Sequence, residues 1–160
     1  MATLANRLIE VCDGVATAIS AAWVPITPDA VTRDYVTEVV SATLTGRQVF
    51  VAPPIDDDEP ARQVQKLNRA EVINGFKVRV EIYEKYTLPG RPTKAWIDAR
   101  VAFVDTVYTA LDLITPGAYL LDSLWCEEMT KVYIADVEAI DLRKMFFAVI
   151  DADFHELVEG

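Results

Sequence analysis

Apolar positions along this chain follow two rhythms. From 4 to 22, Leu4, Leu8, Cys12, Val15, Ile19 and Ala22 recur at spacings of three and four, while Arg7, Glu10 and Asp13 fall off the stripe. That spacing predicts an amphipathic helix. Thr3 suits its N-cap, Pro25 and Pro28 end it, and Gly14 weakens its middle by up to ~1 kcal/mol. The rhythm then changes to period two. The Val- and Thr-rich run Tyr35–Thr43 reads as a strand, Thr45-Gly46 as a turn, and Arg47–Ala52 as a second strand with Val49 and Val51 on one face. Pro53-Pro54 stops it, and the polar run 55–71 reads as an exposed, mobile loop holding one helical turn.

The clearest strand is the third. Phe76, Val78, Val80 and Ile82 point one way, and Lys77, Arg79, Glu81, Tyr83 and Lys85 the other. Pro92 suits the first position of a second helix, whose stripe is Ile97, Val101, Val104, Tyr108 and Leu111, widened by Trp96, Phe103 and Val107. After a loop over Leu120–Glu128, Thr130–Val137 alternates as a strand, Asp141 lies near a turn, and Lys144–Phe154 forms the last strand. The order helix-strand-strand-strand-helix-strand-strand predicts an α+β fold. It consists of an antiparallel sheet of four to five strands with two helices packed on one face, in a single domain over 1–160.

The last strand is apolar on both sides: Phe146, Ala148 and Ile150 on one, Met145, Phe147 and Val149 on the other. Two helices cover one sheet face, so the second face should alternate to polar. The long loop could cover Met145, Phe147 and Val149, but a neighbouring copy of the chain is the more economical candidate.

Composition narrows the picture. The 160 residues carry 25 acidic and 15 basic side chains, a net charge of −10, with 52% hydrophobic residues. These values exclude an intrinsically disordered chain and argue against a protein that grips nucleic acid by neutralising phosphates. The apolar residues of 1–23 are interrupted by Asn6, Arg7, Glu10 and Asp13, unlike a signal peptide, and no run approaches a membrane span. Cys12 and Cys126 form no CxxC or Cys/His cluster, which fits a chain made in a reducing cytoplasm.

Candidate chemistry resolves into ordinary surface features. Asp56, Asp57, Asp58 and Glu59 are consecutive and flanked by Pro54 and Pro60, whereas calcium loops alternate their ligands around a Gly. His155 has Asp153 and Glu156 beside it, with no nucleophile motif, and reads as a terminal surface histidine. Cys12 falls on a buried stripe; Cys126 reads as a loop residue beside Glu127. Neither GxGxxG nor GxxxxGK[ST] occurs. Arg62, Lys66, Arg69, Lys77, Arg79 and Lys85 are interleaved with Glu71, Glu81 and Glu84, as in solubilising or interface charge pairs. The acids Asp98 with Asp105, and Glu127 with Glu128, lack a partner for acid/base work. The expectation is a non-enzyme with no metal and no cofactor.

The element order, the "GRQVFVAPP" strand ending in a double proline, the Arg-bearing charged loop and the "FKVRVEIYEKY" strand together resemble the tail terminator (tail completion) proteins of long-tailed bacteriophages. The resemblance spans nearly the whole chain as one tail-terminator-like domain. It implies a homohexameric ring in the virion tail or neck, assembled in the host cytoplasm. That ring caps the tail tube, ends its polymerisation and joins the tail to the head connector, while DNA passes through without specific binding. The partners implied are further copies of the chain, the tube protein and a connector or neck protein. Arg62, Lys77, Arg79, Glu81 and Tyr83 join Met145, Phe147 and Val149 as expected contacts with subunits or tube. Another neck component (head-closure, adaptor or neck protein) and a cytoplasmic binding module with an apolar pocket are the alternatives.

Overall fold

A computed structural model describes residues 4–35, 39, 42–54, 62–66, 71–114 and 124–159. In chain order the elements are α1 (Leu4–Ala22), β1 (Ala30–Thr32), β2 (Arg47–Ala52), β3 (Arg62–Lys66), β4 (Glu71–Lys85), α2 (Lys94–Asp112), β5 (Leu124–Ile134), α3 (Val137–Arg143) and β6 (Met145–Glu159). The fold is α+β, and among the described residues no helix is long and apolar enough to cross a membrane.

One six-stranded sheet runs in the order β1-β2-β4-β6-β5, with β3 also paired to β4. It is mixed, because β1 lies parallel to β2 while every other pair is antiparallel. The 15-residue β4 is its spine. One edge of β4 pairs β2 along Arg79–Glu84 and β3 along Val72–Phe76. Its other edge pairs β6 along its whole length, from Glu71 opposite Glu159 to Lys85 opposite Met145.

The pleat assigns the faces. Val49 and Val51 of β2, Phe76, Val78, Val80 and Ile82 of β4, and Phe146, Ala148, Ile150 and Phe154 of β6 are all buried in one cluster. Val11, Cys12, Val15 and Ile19 of α1 and Phe103, Val104, Val107 and Leu111 of α2 join it, so both long helices lie on that face. Thr93 caps α2, its Oγ1 accepting from the Trp96 N–H at 3.2 Å.

Several expectations need correction. Among the described residues of the expected first strand, Tyr35, Val39, Ala42 and Thr43 are not in a strand, and the sheet opens with β1 instead. The expected loop 55–71 contains β3 and the first residue of β4; its other residues, the Asp56–Glu59 run included, lie outside the described residues, as does Thr3. Pro92 stands two residues before α2, because Thr93 takes the cap. Tyr108 and Ala22 are exposed, the stripe of α2 having turned toward Phe103, Val107 and Ala110.

The expected strand Thr130–Val137 is β5, which begins at Leu124 and takes in Cys126, Glu127 and Glu128. Register shifts between Cys126 and Glu128 and between Met129 and Lys131 break its period-two signal. The expected turn at Asp141 is α3, capped by Asp136 and closed by Lys144 in the left-handed region at φ 55°. Seven residues are too few for a helical period to stand out.

Candidate assembly surface

Period-two patterning sends every second side chain of the central strands away from the helices. On that helix-free face Tyr83 of β4 lies directly opposite Phe147 of β6, and Tyr133 of β5 opposite Val149. Phe50 of β2 meets Tyr83 with ring centroids 6.0 Å apart, and Phe147 meets Tyr133 at 6.0 Å. Phe50, Tyr83, Phe147 and Tyr133 therefore form an aromatic row across four adjacent strands. Arg143 of α3 lays its guanidinium 4.9 Å from the Phe147 ring centre, a contact worth ~0.5–1 kcal/mol. Burial and the neighbouring Glu81 push the Tyr83 phenol up to about 12, so it stays a neutral hydrogen-bonding group.

Beside this row the face turns ionic. Arg79 donates to both carboxylate oxygens of Asp151, its neighbour in register, at 2.8 and 3.0 Å. Lys131 of β5 lies opposite Asp151 on the other side, and Lys77 opposite Asp153. Farther along, the Trp125 indole N–H donates to Glu127 at 2.7 Å and its ring stands 5.9 Å from His155. The expected terminal surface histidine, His155, is thus a half-buried member of β6.

The helix face is sealed by ion pairs at both ends. Glu84 accepts from Arg47 at 2.8 Å and from Arg100 at 2.6 Å. Those guanidiniums also lie over the Phe103 and Trp96 rings, at 4.0 and 4.2 Å. At the other end buried Glu156 is held by Arg7, with one hydrogen bond at 3.2 Å. Burial opposes the Arg7 charge, but hydrogen bonds to Glu156 and Glu10 outweigh it and raise its pKa.

The residues expected at an interface have different surroundings. Lys77, Glu81, Tyr83, Phe147 and Val149 lie together, partly exposed, on the helix-free face. Arg79 shares that face, tied to Asp151 with 16% of its side chain exposed. Arg62 is in β3, opposite Phe76 in register and away from the aromatic row. Met145 is 2% exposed within the single chain and so needs no neighbouring copy to cover it. Sequence reasoning missed Phe50, Tyr133 and Arg143. The β2 alternation already sends Phe50 opposite to Val49 and Val51, whereas Arg143 depends on α3.

Both thiols are held protonated. Burial pushes the Cys12 thiol up to about 12, and burial with nearby Asp112, Asp153 and Glu127 does the same to Cys126. Among the described residues no group of three His, Cys, Asp or Glu side chains is arranged to hold a metal ion. An open cleft of about 590 Å3 is lined by Arg91, Pro92, Asp136, Val137 and Glu138. The Asp136 carboxylate there already accepts from the Ala139 N–H at 2.8 Å.

Neither a protein-family model nor a curated protein sequence matches the chain. Among solved structures it is similar to the sheath/tube terminator of an extracellular contractile injection system, PVC, in its extended state. That likeness has a TM-score of 0.33 and 10% identity, and covers 92% of this chain and 56% of the other, so this chain spans little more than half of that neighbour's length.

Proposed function

We propose that this chain is a structural, non-enzymatic tail terminator. On this reading it assembles into a ring in the host cytoplasm, caps the tail tube, stops tube polymerisation and gives the head connector a surface to join. The observation that carries the reading is the helix-free sheet face. Phe50, Tyr83, Phe147 and Tyr133 cross four strands there, beside Val149, and among the described residues α1 and α2 lie on the other face while Arg143 of α3 reaches over Phe147. A contiguous aromatic row flanked by Arg143 and Arg79 has the composition of an association hot spot. The "GRQVFVAPP" and "FKVRVEIYEKY" segments, which lie in and around β2 and β4, support the same reading through the family resemblance.

Charge fits the passage of DNA through such a ring. A subunit at −10 presents like charge to the duplex, which shortens its stay at any one point. Ring contacts also stabilise the folded subunit by mass action.

Electron microscopy of particles assembled without this chain tests the reading. Tails of uncontrolled length are expected. Normal tails on heads that leak DNA would assign the chain to head closure instead.

A further inference from the structure

We propose that the aromatic row receives an acidic segment of a partner protein, an extended stretch in which carboxylates flank an aromatic or aliphatic anchor. This deepens the assembly reading, on which it rests, by naming the chemistry of what docks on the helix-free face. The charge around the row runs against that of the chain. The chain as a whole carries −10, yet three exposed cations rim Tyr83, Phe147 and Tyr133.

Arg143 lays its guanidinium over the Phe147 ring, 4.9 Å from its centre. Lys131 stands two residues before Tyr133 on the same face of β5, in the regular stretch of that strand. Lys85 ends β4 two residues after Tyr83, on the same face. Among the described residues none of the three forms an ion pair. The acids of this face are already engaged. Asp151, opposite Lys131 in register, is 7% exposed and accepts both hydrogen bonds from Arg79. Glu81 accepts the hydrogen bond of the Tyr83 hydroxyl. The aromatic surface is therefore bordered by cations that hold no carboxylate.

An acidic peptide answers both features. Its carboxylates meet Lys85, Lys131 and Arg143, while an apolar side chain covers half-buried Phe147 and exposed Tyr133, so that a polar rim encloses an aromatic centre. Along an extended chain, side chains recur on one face every ~7 Å, which is also the spacing from Lys131 to Tyr133 and from Tyr83 to Lys85. A nucleic-acid duplex is the poorer match: three cations release few counterions, and a net charge of −10 repels phosphates. A second copy packed row to row would set Arg143 and Lys131 against their own equivalents, and like charges brought together cost affinity.

Fluorescence anisotropy tests the proposal with a labelled peptide of Glu residues around a single Phe, and with its Gln and Lys counterparts. The Glu peptide should bind at least tenfold more tightly than the Gln peptide, the Lys peptide should not bind, and added salt should weaken the complex. Arg143→Glu should lower the affinity at least tenfold. Lys94→Glu, the same change of charge at the exposed start of α2, should leave it unchanged. Cooperative melting checks each variant, and Lys131→Glu takes the place of an Arg143→Glu chain that does not fold. Equal binding of the Glu and Gln peptides, tighter binding of the Lys peptide or of duplex DNA, or an equal loss in Lys94→Glu would overturn the proposal. So would release of the peptide at concentrations where the chain self-associates in sedimentation, because a second copy would then hold the row. Each of these results leaves the assembly reading standing where the chain still ends tube growth. A chain that neither binds the Glu peptide nor alters tube growth overturns both.

Discussion

Phe146 and Phe147 are adjacent in β6, and the pleat sends them to opposite faces. Phe146 is fully buried among the helices, while Phe147 is half-buried beneath Arg143 and between Tyr83 and Tyr133. Phe146→Ala should cost ~3–5 kcal/mol, because the cavity it opens is walled by a packed core. Phe147→Asp should cost less in chemical denaturation and leave the far-ultraviolet circular dichroism intact while abolishing assembly. A Phe147→Asp chain that simply unfolds would put Phe147 in the monomer's core. The thiols provide a pH test. Cys12 and Cys126 rise from 9.0 to about 12, so the folded chain holds their protons more tightly than the unfolded chain. Their contribution is complete below pH 9 and is lost as pH climbs toward 12, with Tyr83 adding to the loss above pH 10. Melting temperature should therefore fall from pH 9 upward, less steeply in Cys12→Ala. Native Cys12 should resist alkylation at pH 8 and react once denatured.

The short α3 positions Arg143 over the aromatic row, and its ends are set by two residues. Asp136→Ala removes the acceptor for the Ala139 N–H and should cost ~1 kcal/mol. Lys144 holds a left-handed conformation at φ 55°, so Lys144→Gly should gain up to ~1 kcal/mol, both read from denaturation midpoints. Elements with an undisturbed period were legible in the sequence. The limits of β2 match those expected, the alternation of β4 gives both faces, and α1 and α2 follow from their stripes. The rest was hidden by local physics. Two register shifts scramble β5, and α3 is shorter than two turns. The three-residue β1 exists only through its parallel partner β2. The candidate surface was half legible for the same reason. Its β4 and β6 members follow from alternation, but Arg143 needs α3, and Met145 owes its burial to packing that alternation does not report.

At the scale of the whole molecule, two thick helices seal one side of a sheet and leave the other to aromatic and ionic side chains. Ion pairs centred on Glu84 and Glu156 close the sealed side at both ends. The open side carries the aromatic row on which the proposed assembly rests. The most direct test is growth of purified tube protein with and without this chain, followed by electron microscopy of tube lengths and tube ends. The account predicts shorter tubes, each ended by a ring of this chain, with Phe147→Asp inactive. Tubes that grow to the same length with uncapped ends, in the presence of a folded excess of the chain, would contradict it.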